Sequence, residues 1–306
     1  MNLSVYRELE NFKSLLGQLS LNFNLVQGAG GNASVKTSSS MLVKASGKRM
    51  GSVSDPNYLH EISLENRLPV DNIGNQSTRP SIEVFLHALL EDTFVLHLHS
   101  TSGVAISMLA GGDHEIGAKL DELGITNLSY LRPGRELRAG IEEALEIRKS
   151  SAFLLGNHGT LFSANSLSDL KDKVFAFESW AETFLDYQRL TLISPDTPNT
   201  AISESQSDQA VWHALHNWRV SPDHVVFLGV EPNLAALSLL SSARTSHKIF
   251  EALGASEGHP SNQAEQLAWF FNVTQSLPRR VLTTLSLEEA QYLVSWEAEK
   301  HRVNGA

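Results

Sequence analysis

The 306-residue sequence contains no cysteine. That absence excludes a disulfide framework, a thiolate nucleophile, an iron–sulfur cluster and any cysteine-based zinc finger. A metal, if the protein uses one, has to be held by imidazole and carboxylate. Basic residues are also scarce: 24 Lys and Arg stand against 34 Asp and Glu, for a formal charge of −10. Nucleic-acid surfaces need clustered cations facing phosphate, so no nucleic-acid partner is expected. No apolar run approaches the ~18 residues of a membrane span, and no membrane partner is expected either. The opening MNLSVYRELENFKSLL mixes acidic with apolar residues, which reads as an amphipathic helix and not as a signal peptide. With 42% hydrophobic residues, the chain is expected to be a cytoplasmic globular protein, long enough for one large domain or two modest ones.

Three regions differ in texture. Residues 1–190 alternate strand-like runs with helical patterns, which favours α/β over an all-β sandwich. LVQGAGGNASVK reads as a turn and a strand, and MLVKASG as a second strand in which Met41, Val43 and Ala45 alternate with other residues. PSIEVFLHALLED spaces its apolar residues as a helix with Ser81 as N-cap. TFVLHLHS is a buried strand, RELRAGIEEALEIRK an amphipathic helix, and SAFLLGNH a strand that leads to a further helix. Residues 191–209 are poor in apolar residues and contain two prolines, as a linker or excursion does. Residues 210–306 read as a mostly helical C-terminal extension with one strand over 224–230. In it, Ser286 and Glu289 form a capping box, and His213 and His216 lie on an exposed-looking helix.

Val95-Leu96-His97-Leu98-His99 is the most informative segment. Alternate residues of a strand project to one face, so His97 and His99 converge and can offer two neutral nitrogens to a divalent metal. Two core histidines satisfied by carbonyls would give the same pattern, at roughly 1–3 kcal/mol for each polar group left unsatisfied. The pair alone leaves both readings open. Gly156-Asn157-His158-Gly159 ends an apolar strand, where α/β proteins place functional groups, and its glycines allow a sharp turn and close approach to a ligand. His158 adds a third nitrogen, and three histidines leave zinc an open position. Glu83 opens a helix, where the dipole already favours a carboxylate. His87, one turn on, competes as a ligand, although its apolar neighbours suit a hydrogen-bonded core histidine better. GAGGNAS (28–34) can present a small backbone nest, and Ser46-Gly47-Lys48 a hydroxyl, an amide and a cation, to an anion. Neither matches the P-loop or dinucleotide fingerprints.

Five segments stand in one order over residues 30–159: GGNASVK, MLVKASG, RPSIEVFLH, VLHLHS and LLGNHG, with LRPGREL just upstream of the last. In these motifs, residues 1–190 resemble the class II aldolase/adducin family, in a PSIE-type branch. The resemblance implies an α/β fold of three layers, with a central, mainly antiparallel sheet flanked by helices, in place of the parallel sheet that simple strand–helix alternation suggests. It assigns His97, His99 and His158 as ligands of Zn²⁺ or another divalent metal. It makes Glu83 the catalytic carboxylate, which substrate displaces from the metal to move a proton at carbon. Asn32, Ser46, Gly47 and Ser81 fall on positions that bind substrate phosphate. Ile82 stands where the sugar-phosphate aldolases carry a second serine, which removes one phosphate contact. The family's fuculose enzyme has a catalytic tyrosine for which nothing between Met108 and Ser129 offers a match, and His114 is a substitute to consider.

The implied activity is that of a zinc-dependent aldolase-type lyase in carbohydrate metabolism. Its substrate would be a small hydroxylated carbonyl compound, phosphorylated or not, and its route a metal-stabilised enediolate. A homotetramer with sites near subunit interfaces is the implied assembly. Sugar-phosphate epimerases and a dehydratase of the same family use the metal differently, and adducins keep the fold as a non-catalytic scaffold without the histidines. Beyond the compact aldolases, Pro222-Asp223-His224 is reminiscent of longer members. There Asp223 and His224 can reach the site as an acid/base pair, although an Asp that caps a turn before the strand suits the segment better.

Overall fold

A strand with an apolar face needs a cover on it, and here helices cover both sides of one sheet. The computed structural model describes residues 3–37, 39–65, 68–70, 79–111, 113–191, 206–243, 246–253, 262–275, 277 and 282–296. Helix α1 (Leu3–Leu19) leads into strands β1 (Asn32–Lys36), β2 (Ser40–Lys44), β3 (Leu59–Glu65) and β4 (Leu68–Val70). Then follow α2 (Val84–Leu89), β5 (Phe94–Leu98), α3 (Thr101–Leu109), α4 (His114–Glu122) and β6 (Thr126–Leu128). Helix α5 (Arg135–Ile147), β7 (Ala152–Leu155), β8 (Gly159–Ala164) and α6 (Leu167–Thr191) complete the sheet and its covers. The strand order is β4-β3-β2-β1-β5-β8-β7-β6. Every pairing is antiparallel except that of β6 with β7. The sheet is thus mainly antiparallel, as the family resemblance implies.

Strand β5 runs near the middle, and its alternation divides the two layers. Phe94, Leu96 and Leu98 join the large core under α1, α3 and α6, where Phe12 meets Phe94 at 5.2 Å between ring centroids. Leu9, Phe12, Leu16 and Leu19 line the buried face of α1 at helical spacing. Val95 faces the other way, with Leu86, Leu137, Ile141, Phe153 and Leu161 beneath α2 and α5. His97 continues the Val95 face.

The remaining helices are α7 (Gln206–His216), α8 (Pro222–Leu228), α9 (Leu234–Ser242), α10 (Ser246–Ala252), α11 (Asn262–Gln275) and α12 (Leu287–Ser295). Trp218, Leu240, Trp269 and Phe270 belong to the same core as Phe94 and Phe162, so this helical extension packs directly on the sheet unit. Of the expected linker 191–209, residues 192–205 lie outside the described residues. Ser286 caps α12, accepting from the Glu289 N–H, which is half of the expected capping box; the Glu289 carboxylate binds Tyr130 and Arg132.

Three local expectations need correction. Residues 224–230 do not form a strand: α8 occupies Pro222–Leu228, with Ser221 as N-cap and Pro222 in its first turn. The β-branched Val225-Val226 suggested a strand, but Ser-Pro is a stronger helix-start signal. His213 is fully buried, bonded to Asn217 at 2.8 Å, whereas His216 is exposed and stacks on Trp212. Ser81 is not the N-cap of α2. That position is Glu83, whose N–H bonds the Ser81 hydroxyl at 3.3 Å.

His224 is fully buried against Trp218 and Phe270, and neither ring nitrogen has a hydrogen-bond partner among the described residues. Burial pushes its pKa down to about 3. Above pH ~6.5 both folded and unfolded chains keep this ring neutral. Between that value and about 3 the unfolded chain takes up a proton that the folded chain refuses, so stability falls as pH falls. His224→Phe is expected to leave stability at pH 8 the same or higher and to raise it by about 3 kcal/mol at pH 4.5. Urea unfolding at the two pH values measures both.

Candidate metal centre

The register of β5 with its neighbours assembles the centre. Asn32 of β1 lies opposite His97, and His97 lies opposite Leu161 of β8. His99 follows one residue beyond the end of β5. His158 comes from the tight connection between β7 and β8, where Leu155 pairs with Gly159. Asn157 takes φ 54° there, and a Cβ at Gly156 or Gly159 would strike the backbone of Tyr130 or Leu98. These glycines therefore admit the protein's own backbone, whereas the sequence suggested room for a ligand. Glu83 enters from the start of α2.

The ligand atoms of Glu83, His97, His99 and His158 all lie within 4.8 Å of one another, and all four residues are buried. His97 Nε2 is 2.9 Å from His99 Nε2 and 3.3 Å from His158 Nε2. Glu83 Oε1 stands 3.2 Å from His158 Nε2, and Oε2 stands 3.5 Å from His97 Nε2. The tautomers of two rings are fixed from behind. The Thr160 carbonyl, 2.8 Å from His97 Nδ1, can only accept, so that nitrogen carries the proton. The Asp223 carboxylate, 3.0 Å from His99 Nδ1, does the same for the second ring. Both Nε2 atoms are then bare lone pairs facing each other, which is unfavourable without a cation between them. Tetrahedral zinc with Zn–N of ~2.0–2.1 Å holds its ligand nitrogens ~3.3 Å apart, so the separations fit an ion of that size. Glu83 Oε1 and His158 Nδ1, both buried, have no hydrogen-bond partner among the described residues.

Protonation agrees with this donor set. Burial lowers the pKa of His97 and brings that of His158 down to about 3. Burial alone would raise Glu83, but the three imidazoles and the Asn32 amide outweigh it and bring it to about 2. Neutral imidazoles beside an ionised carboxylate are the forms that bind a dication.

His87 is not part of this cluster. Fully buried and kept neutral by burial, it hydrogen-bonds Asn32 Oδ1 through Nε2 and Ser34 Oγ through Nδ1, the latter at 2.8 Å. Asn32 in turn donates to Glu83 Oε2 and, at 3.3 Å, to Ser81 Oγ. A line of hydrogen bonds from Ser34 through His87 and Asn32 thus orients the carboxylate.

Asn32, Ser46, Gly47 and Ser81 line one cleft together with Glu83, His99 and His158. Lys44, Ile82 and Asp223 line it too. Sequence reasoning passed over Lys44, a buried cation bonded to the Lys48 carbonyl at 2.6 Å, although it sits inside the VKASG motif. Part of the glycine-rich nest is already filled by the protein itself. The Gly28 N–H binds the Glu265 carboxylate of α11, which also pairs with Arg49 at 2.6 Å. His114 sits exposed at the start of α4, away from the cleft lining. Tyr130 donates to Glu289 of α12 at 2.9 Å.

The model of the Class II Aldolase and Adducin N-terminal domain matches residues 15–185, more than half of the chain. The protein belongs to this family. Among solved structures, a sugar-phosphate aldolase from Thermotoga maritima is 18% identical, covering 61% of this chain and 97% of its own, with TM-score 0.50. The N-terminal class II aldolase domain of a conserved Thermoplasma acidophilum protein is 24% identical, covering 56% of this chain and 91% of its own, with TM-score 0.47. The L-fuculose-1-phosphate aldolase of Thermus thermophilus is 22% identical, covering 60% of this chain and 96% of its own, with TM-score 0.46. Of these likenesses, only that to the Thermotoga maritima structure bears on the fold, and on the fold alone. No curated relative matches the chain. Among the described residues, no helix is long and apolar enough to cross a membrane.

The geometry separates two sets of histidines by experiment. His97→Ala and His158→Ala are expected to lose a bound divalent ion, and His87→Gln to keep it. Metal content of the purified variants checks this, and loss of the ion from His87→Gln alone would restore His87 as a ligand.

Proposed function

We propose that the protein is a zinc-dependent aldolase-type lyase acting on a small hydroxylated carbonyl compound. The observation that carries this reading is the pair of bare Nε2 atoms on His97 and His99, 2.9 Å apart, with His158 and Glu83 beside them. Class II family membership supports it. The three imidazoles would hold the ion, and a zinc ion bound there would supply Lewis-acid polarisation of a substrate carbonyl and hydroxyl. The retained histidines speak against an adducin-like scaffold.

Glu83 is the proton-moving residue in this reading. Asn32 holds one of its oxygens, while Oε1 has no hydrogen-bond partner among the described residues and can take a proton from a substrate hydroxyl or return one to carbon. The cleft wall supports a reading of the other end of the substrate. Ser46, Gly47 and Ser81 offer hydroxyl and backbone donors beside Asn32, whose amide is engaged with Glu83 and Ser81, and the Lys44 ammonium adds positive charge. That set suits a terminal anion, phosphate or carboxylate. Ile82 gives the same wall an apolar patch, which narrows the anion's contacts relative to a serine. Assembly as a homotetramer and action in the cytoplasm complete the proposal.

Glu83→Gln is expected to retain zinc and lose about 10²–10⁴-fold in turnover. Product analysis on hydroxylated aldehyde–ketone pairs, with and without phosphate, tests the reaction. Two fragments in equilibrium with one longer chain support a lyase. An isomer of unchanged mass would instead mean an epimerase, and loss of water a dehydratase.

A further inference from the structure

The helical extension reaches into the centre through one residue. We infer that Asp223 of α8 is a positioning residue for the metal centre, holding the ring of His99 in the orientation and tautomer that turn Nε2 toward the ion. This rests on the metal reading above, and it places part of that centre outside residues 15–185, the stretch that matches the family.

The Asp223 side chain is 4% exposed, and its Oδ2 lies 3.0 Å from His99 Nδ1. Its backbone is fixed by the residues that lead into α8. Ser221 caps α8, Pro222 follows in the first turn, and Arg219 and Leu285 exchange hydrogen bonds that tie the preceding turn to the segment before α12. Asn157, next to His158, donates to the Val220 and Thr283 carbonyls at 3.1 and 2.9 Å. The approach to α8 and the loop carrying His158 are thereby held together.

The core is built to admit this contact. A Cβ at Gly30 would lie 2.8 Å from His99 Nδ1 and 2.9 Å from Asp223 Oδ2. Only glycine leaves space for the pair, which gives the middle of the GAGGN motif a use unrelated to anion binding. A carboxylate behind a ligating imidazole fixes the tautomer and raises the basicity of the opposite nitrogen, and loss of such a partner typically weakens metal binding 10–100-fold. Carboxylate is needed because an Asn amide in its place can turn its NH₂ to Nδ1 and favour the proton on Nε2, where it blocks the ion.

The test measures Zn²⁺ affinity by competition with a chelator for wild type, Asp223→Asn, Asp223→Ala and Glu289→Gln, with the visible spectrum of the Co²⁺-loaded forms. Glu289 also joins the extension to the sheet unit, through Tyr130 and Arg132, but its contacts do not include the four clustered residues. Asp223→Asn and Asp223→Ala are expected to bind Zn²⁺ 10–100-fold more weakly and to shift the Co²⁺ spectrum, with Asp223→Asn keeping the wild-type thermal midpoint in the presence of chelator. Glu289→Gln is expected to keep wild-type affinity and spectrum. Gly30→Ala, which crowds the same contact from behind, is expected to weaken Zn²⁺ as well. Wild-type affinity and spectrum in both Asp223 variants would overturn the role of Asp223 and leave the metal centre standing. A wild-type chain that binds no stoichiometric metal would overturn the metal reading and this inference together.

Discussion

The pairing of β5 between β1 and β8 is the constraint on which the centre depends. That register sets Asn32 beside His97 and brings the Thr160 carbonyl within 2.8 Å of His97 Nδ1. A slip of one residue would turn His97 into the layer occupied by Leu96 and Leu98 and turn those leucines into the cleft. Because both faces of β5 are covered by helices, the apolar pattern and the histidine pattern enforce the same register. The packing that stabilises the sheet also aims the imidazoles.

Around that strand, partners restrain three of the four clustered residues. Thr160 and Asp223 fix two tautomers, and Asn32 orients Glu83 while His87 and Ser34 hold Asn32. The extension adds further contacts: Glu265 binds the glycine-rich turn and Asp223 binds His99, while Glu289 ties the extension to Tyr130 and Arg132 without touching the four clustered residues. Three carboxylates from helices beyond the family match thus engage the segments around the cleft. The acidic balance of the chain has a local use here that its net charge does not reveal.

What was legible in the sequence follows the range of the interactions. The spacing of His97 and His99 and the helical face of α1 are short-range patterns, and each led to the right element or face; the five motifs, each local, led to the family through their order. Short strands such as β4 and β6, at three residues each, carry too few side chains to show a period. The strand expected at 224–230 failed because Val225 and Val226 resemble a strand when read alone, whereas Ser221-Pro222 had already committed the backbone to α8. The contacts of Asp223 with His99 and Glu265 with Gly28 join residues far apart in the chain, and nothing local in either segment reports them. Lys44 lay inside a recognised motif, but its use depends on the cleft around it.

The proposed site depends on one divalent ion held by His97, His99 and His158 with Glu83 beside it. Zinc-edge X-ray absorption of the purified protein tests it most directly. One zinc per chain is expected, bonded to three imidazole nitrogens and a carboxylate or water oxygen at ~2.0–2.2 Å. Protein without stoichiometric metal, or a shell without three imidazoles, would contradict it.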